Sequence, residues 1–157
     1  MKKRIVAMML AVVFSVIGMM ANGWNVKAAE IEAAEQEVDI STVMTEDALI
    51  GYAPLINRGV YLLEGVSALN DAGGGKIGWG GITNAVVKCK VSVNAIVERK
   101  VDGSWVRVTS STTTNTNAYT AVVSKTLSVA SGYQYRVRCV HSANTDTSSS
   151  FTGTLWM

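Results

Sequence analysis

The residues of this chain that could do acid-base or nucleophilic chemistry do not form a catalytic pattern. A hydrolase needs a nucleophile, a base and an orienting group within reach of one another. The single histidine, His141, lies at the end of a strand-like segment, where we expect an exposed or capping role, and no Gly-x-Ser-x-Gly turn is present. Of the carboxylates in the predicted domain, Glu64 and Asp71 are the pair left for a two-carboxylate mechanism. We therefore expect no enzyme activity.

The chain is also poor in metal ligands and in cofactor motifs. Its two cysteines and one histidine, without a Cys-x-x-Cys spacing, fall short of the four ligands of a structural zinc site. The glycines around Trp79 lack the following helix and the Lys-Ser/Thr pair of a phosphate-binding loop. We expect no metal and no cofactor, and we interpret these glycines as a strand that another backbone or a flat ligand approaches closely.

Side chains suited to binding are more plentiful. Aromatic rings stack on sugar rings or cations at little entropic cost, and basic residues attract anionic polymers. The alternative is that the rings belong to the core or its rim and that the bases are scattered over solvated strand faces. The candidate binding residues are Trp79, Trp105, Tyr119, Arg136 and Arg138, with Trp156 as a further ring and Lys88 and Lys90 as further bases.

The elements that would position these residues are β-strands. Apolar and polar residues alternate over residues 87–97, which is typical of a strand with one buried face. The pair Asp102-Gly103 predicts a two-residue hairpin turn, after which a second strand returns. The resulting register predicts an ion pair between Glu98 and Arg107, contact of Lys100 with Trp105, and Val97 facing Val108 in the core.

About seven such strands, with no amphipathic helix among them, predict an all-β fold, an antiparallel β-sandwich of about seven strands. Cys89 and Cys139 both fall on apolar phases of their strands. We expect one disulfide between them, closing a loop of about 50 residues and adding roughly 4 kcal/mol. The alternative is two free thiols serving as small apolar residues.

The N-terminal third differs in composition from the rest. A basic start, an apolar run and small residues near Ala28 predict a signal peptide over residues 1–29, too short to remain as a membrane anchor. An acidic flexible segment and lead-in follow over residues 30–58, and the β-domain over residues 59–157. From Ala48 onward ten basic residues stand against five acidic ones, so the part after the acidic segment is basic.

Two resemblances add to this interpretation. The order Cys89, Trp105 and Cys139, with a tyrosine-rich entry to the last strand, resembles immunoglobulin-like and fibronectin-III-like modules. The run Gly-Tyr-Gln-Tyr-Arg-Val over residues 132–137, followed by Val140-His141, resembles a family of small exported proteins of uncharacterised function from Gram-positive bacteria. These resemblances imply secretion and an immunoglobulin-like β-domain, and they imply no known chemistry.

The sequence thus predicts a secreted, non-enzymatic β-sandwich module that binds a cell-surface or extracellular partner. A cell-wall polymer, a glycan or a protein would be such a partner, whereas no nucleic acid and no membrane span in the mature form are expected. Two alternatives stay open. One is a carbohydrate-binding protein that uses exposed Trp and Tyr residues, and the other is a secreted bacteriocin-like effector processed within residues 30–58.

Overall fold

The computed structural model describes residues 44–54 and 59–157, and their strands form one antiparallel sheet. The predicted leader and residues 30–43 lie outside the described residues. The sheet includes four residues that precede residue 59, where the sequence predicts that the domain begins. The strands are β1 (Leu49–Tyr52), β2 (Leu62–Gly73), β3 (Lys76–Val101), β4 (Ser104–Ser128), β5 (Gln134–Ala143), β6 (Asp146–Phe151) and β7 (Leu155–Trp156).

The long strand β3 belongs to both halves of this sheet. Its first part pairs with β2 and β4, and its last part pairs with β5 and β4, with register shifts between Asn84 and Val91. Register shifts of this kind bend a strand and increase its twist. The sheet therefore curves until β2 packs against β5 and β6, and it nearly closes on itself. The predicted all-β class is confirmed, whereas an immunoglobulin-like sandwich of two separate sheets is not.

The core lies between the two halves of the curved sheet. Val91, Val93, Ala95 and Val97 are fully buried, as their alternation predicts. The facing residues of β5 complete this part of the core and are Tyr135, Val137 and Cys139. The pattern fails at Val87, which is 47% exposed, because it lies in the bend of β3.

The hairpin between β3 and β4 has the predicted register near its turn. Asp102 and Gly103 have positive φ angles of 47° and 81°, and Glu98 lies opposite Arg107. One extra residue in β4 then shifts the pairing, so that Val97 lies opposite Thr109. The prediction that Val97 faces Val108 in the core is wrong, because this bulge leaves Val108 45% exposed.

The predicted disulfide between Cys89 and Cys139 is also wrong, since both cysteines are free. Cys139 lies opposite Ala95 of β3, which is six residues, or about 20 Å, along the strand from Cys89. A disulfide requires Cα atoms within about 7 Å of each other. The Cys139 thiol instead donates to the carbonyl oxygen of Gly80 at 3.4 Å.

The glycines near Trp79 lie where atoms of β2, β4 and β5 approach the β3 backbone closely. A Cβ atom at Gly81 would lie 2.5 Å from the Cys139 sulfur and 2.7 Å from the carbonyl oxygen of Val66. A Cβ atom at Gly80 would overlap the carbonyl oxygen of Val123. The expected close approach of another backbone is confirmed.

Candidate functional site

The candidate site is the outer face of the sheet around Glu98. Glu98 of β3 lies opposite Arg107 of β4 on one side and opposite Arg136 of β5 on the other. Residues directly opposite each other in a sheet project from the same face. Because the neighbouring Val97 projects into the core, these three side chains share the outer face.

Glu98 is bound by two arginines of β5. Its Oε2 accepts a hydrogen bond from Nε of Arg136 at 2.7 Å, and its Oε1 accepts one from Nε of Arg138 at 3.4 Å. Glu98 is only 8% exposed, whereas the side chains of Arg136 and Arg138 are 24% and 35% exposed, so water screens the carboxylate end of these pairs least. The predicted ion pair between Glu98 and Arg107 is wrong. Both carboxylate oxygens of Glu98 bind the β5 arginines, and Arg107 donates a hydrogen bond to the Ser110 hydroxyl instead.

Two aromatic rings contact the guanidinium of Arg136. The Arg136 guanidinium carbon lies 4.3 Å from the centre of the Trp105 ring and 5.2 Å from that of Phe151. Lys100 lies 5.9 Å from the Trp105 ring, so this predicted contact is confirmed. A cation over an aromatic face is attracted by about 0.5–2 kcal/mol. The rings and the carboxylate together fix the position of the Arg136 side chain.

These residues form what we call the cationic face. Its four cations outnumber its one carboxylate, which leaves a net charge of +3. Each β5 arginine uses only Nε on Glu98, so among the described residues their terminal NH2 groups have no hydrogen-bond partner. Such groups match the oxygen pairs of carboxylates, phosphates and sulfates. The cationic face consists of Glu98, Lys100, Trp105, Arg107, Arg136, Arg138 and Phe151.

The structure brings three of the five candidate binding residues together and leaves two elsewhere. Trp105, Arg136 and Arg138 belong to the cationic face. Trp79 is buried at 3% exposure. Tyr119 is exposed and its ring contacts Lys88. Its neighbour Ala118 lies opposite Cys89, which is nine residues, or about 30 Å, along β3 from Glu98.

Sequence reasoning missed Phe151 as a site residue and missed the true partners of Glu98. Phe151 joins the face because β6 pairs with β5 and places it opposite Arg138. One signal was available. Arg136 and Arg138 alternate with the buried Tyr135 and Val137, so both had to project from the outer face of their strand.

A second polar cluster is buried in the core around His141. Its Nδ1 lies 2.8 Å from the Thr83 hydroxyl, and its Nε2 lies 2.7 Å from the Ser150 hydroxyl. Thr83 donates its own proton to the Ser92 carbonyl, so His141 donates from Nδ1 and accepts at Nε2. Burial lowers the pKa of His141 to about 4. The expected exposed or capping role is wrong, and this neutral ring ties β3, β5 and β6 together.

The described residues also lack a metal-binding cluster and a membrane-spanning helix. Within residues 44–54 and 59–157, no three His, Cys, Asp or Glu side chains come together in a way that would hold a metal ion. In that part of the chain there is also no helix with the length and apolar character needed to cross a membrane.

Comparison with known proteins gives a fold likeness only. No protein-family model and no curated protein matches the chain. Three chains of solved structures match, and one of them is the solution structure of R. palustris CsgH. That structure is 18% identical over 55% of this chain and 87% of its own, with a TM-score of 0.38. The likeness concerns the all-β fold and carries no argument about function.

Proposed function

We propose that the chain is an exported, non-enzymatic module that binds an anionic extracellular or cell-surface partner through the cationic face. The observation that carries this proposal is the fixed position of Arg136, between the rings of Trp105 and Phe151 and against Glu98. An arginine that is already ordered loses little side-chain entropy when it binds a ligand. Export is proposed from the signal peptide predicted over residues 1–29.

The layout of the face favours a polymer over a small ion. Its cations lie on β4, β3 and β5, and neighbouring strands are about 4.8 Å apart. An extended anionic chain that crosses the strands would meet one cation after another. Each contact on such an open surface is weak, because exposed charges are well screened. We therefore expect affinity to come from repeated contacts along the polymer.

The contacts of Trp105 favour an anionic ligand over a neutral sugar. Arg136 and Lys100 both lie against this ring, so a sugar stacking there would compete with two cations. An anion uses the same cations without displacing them. Neutral glycan binding through Trp105 is the competing proposal, and it predicts a different response to salt.

The test compares two polymers with the same sugar backbone. The full chain is titrated by calorimetry with dextran sulfate and with uncharged dextran, at ~50 mM and at ~500 mM salt. We expect dextran sulfate to bind and its affinity to fall at least about tenfold at the higher salt, since salt screens exposed charges. Equal binding of the two polymers, or no effect of salt, would contradict the proposal.

A further inference from the structure

One edge of strand β4 pairs with no other strand that the structure describes. Among the described residues β4 pairs with β3 alone. Between the register shift at Cys89/Val91 and the one at Val97/Glu98, residues 109–115 run in uninterrupted register with residues 91–97. Alternate backbone N–H and C=O groups of an antiparallel strand point away from its neighbour. Residues 109–115 therefore present a straight row of backbone donors and acceptors toward solvent.

This edge lacks the features that usually protect edges. Natural sheets guard their edges with lysines, prolines or bulges. Residues 108–124 contain no charged residue, no proline and no glycine. The bulge at Val108 and the left-handed Asn117, with a φ of 54°, bound the straight row without interrupting it. Six of the seven residues in the row are Ser or Thr, and the last is Asn115.

We infer that residues 109–115 pair with the same residues of a second copy of this chain, antiparallel and centred on Thr112. This register places Thr112 opposite Thr112 of the second copy, hydroxyl residues opposite hydroxyl residues over 110–114, and Thr109 opposite Asn115 at each end. Cross-strand pairs of Thr and Ser are favourable. The nearest cation, Arg107, falls opposite Asn117 of the second copy, so no like charges meet.

The composition of the edge favours a second copy over a foreign strand. A strand from another protein is selected by pockets or charges beside the edge. Residues 109–115 are uncharged, and Arg107 contacts one of them, Ser110, at one end of the row. The row offers a foreign sequence little to select it, whereas it matches its own reversed sequence closely. Self-complementary contacts related by a two-fold axis are the commonest basis of homodimers.

The pairing has a consequence for the cationic face. The two-fold axis runs perpendicular to the joined sheet, so the outer faces of both copies lie on the same side. Arg107 is five residues from Thr112, which places the two Arg107 side chains about 30 Å apart along the strands. The dimer then presents two cationic faces to one polymer. This consequence rests on the proposed function, whereas the pairing of the two β4 strands does not.

The test is sedimentation velocity of the full chain over a concentration series. We expect a concentration-dependent dimer, whose dissociation constant rises at least about tenfold in Thr112→Lys and in Thr112→Asp, because each places like charges opposite each other. Mixing these two variants restores the dimer. The control Thr126→Lys, on the same strand but outside the row, leaves the dissociation constant unchanged.

A second measurement needs no variant. Amide hydrogen exchange in residues 109–115 should slow as the wild-type concentration rises, because the free N–H groups become paired. At about 0.5 mM, a dimer with a dissociation constant near 1 mM is already partly formed. A wild-type chain that stays monomeric at this concentration would overturn the inference. So would a dimer that Thr112→Lys leaves intact. Neither result depends on whether the cationic face binds a polymer.

Discussion

The guanidinium of Arg136 lies 4.3 Å from the centre of the Trp105 ring, although their strands do not pair with each other. Strand β3 runs between them, and its Glu98 binds the same guanidinium at 2.7 Å. Three strands therefore fix one side chain. This arrangement makes the cationic face part of the fold, so that changes to it affect both stability and binding.

Replacing Glu98 by Gln should separate these two effects. The variant loses the carboxylate between Arg136 and Arg138, which leaves two like charges close together. We expect the free energy of unfolding to fall by about 1–3 kcal/mol, since charged hydrogen bonds contribute about that much. The net charge of the cationic face rises by one, so dextran sulfate should bind more tightly. Urea unfolding and calorimetric titration measure the two quantities.

Asp102→Asn is the matched control for this change. It removes the same charge from the exposed hairpin turn, where Asp102 makes no ion pair with any residue that the structure describes. Asn adopts the positive φ of this turn as readily as Asp, so the free energy of unfolding should stay within about 0.5 kcal/mol of wild type. If both variants lose the same stability, Glu98 does not hold the two arginines.

Stability should depend on pH through His141, which is the single histidine of the chain. Burial lowers its pKa from 6.5 to about 4, so the folded state binds fewer protons than the unfolded state between these values. Stability is therefore full above pH 6.5 and is lost as the pH falls toward 4. We expect a loss of about 2 kcal/mol between pH 7 and pH 5, measured by urea unfolding.

The variant His141→Gln is the control for the pH effect. It is less stable at every pH, because the bonds to Thr83 and Ser150 are perturbed. Its stability should change much less between pH 7 and pH 5, where few carboxylates titrate. A wild-type slope as flat as that of the variant would show that His141 is not buried as a neutral ring.

The two thiols should react very differently. Burial raises the pKa of Cys139 to about 12, so this thiol stays protonated and shielded in the folded protein. Cys89 is half-buried at the bend of β3. With a thiol-reactive dye, the folded chain should label at Cys89 within minutes and at Cys139 only after unfolding. Mass spectrometry of the oxidised folded protein should find no Cys89–Cys139 cross-link, and finding one would refute the register of β3 with β5.

Gly81→Ala should destabilise the fold strongly. The added Cβ atom would lie 2.5 Å from the Cys139 sulfur and 2.7 Å from a backbone oxygen, so the two halves of the sheet must separate. We expect a loss of about 1–3 kcal/mol or more in the free energy of unfolding. In Gly153→Ala the nearest atom would lie 3.7 Å away, and stability should change little. Equal melting temperatures for the two variants would contradict the close approach at Gly81.

The parts of the fold that depend on neighbouring residues could be predicted from the sequence. The alternation over residues 91–97 identified the buried face, and Asp102-Gly103 fixed the hairpin register as far as Glu98. Ile96 breaks the alternation, and the structure shows why. It lies on the outer face opposite Arg138, and it is 6% exposed there.

The parts that depend on distant strands could not be predicted. The partner of Glu98 is Arg136, 38 residues away, and the sequence holds no signal that β5 pairs with this part of β3. The predicted disulfide failed for a related reason. It rested on both cysteines falling on the apolar phase of their strands, which does not fix register; β5 pairs with Val91–Arg99 of β3, so Cys139 lies opposite Ala95 and Cys89 lies beyond this pairing.

Binding of anionic polymers by the cationic face is tested most directly by one comparison of affinities. The double variant Arg107→Gln/Arg138→Gln removes two positive charges from the cationic face. The control Lys76→Gln/Lys125→Gln removes two positive charges from elsewhere on the sheet. Calorimetric titration of each full chain with dextran sulfate should show at least about a tenfold loss of affinity for the first variant, from two lost charge-assisted contacts, and less than about twofold for the second. Equal losses in the two variants would show that binding follows net charge alone and would contradict the claim.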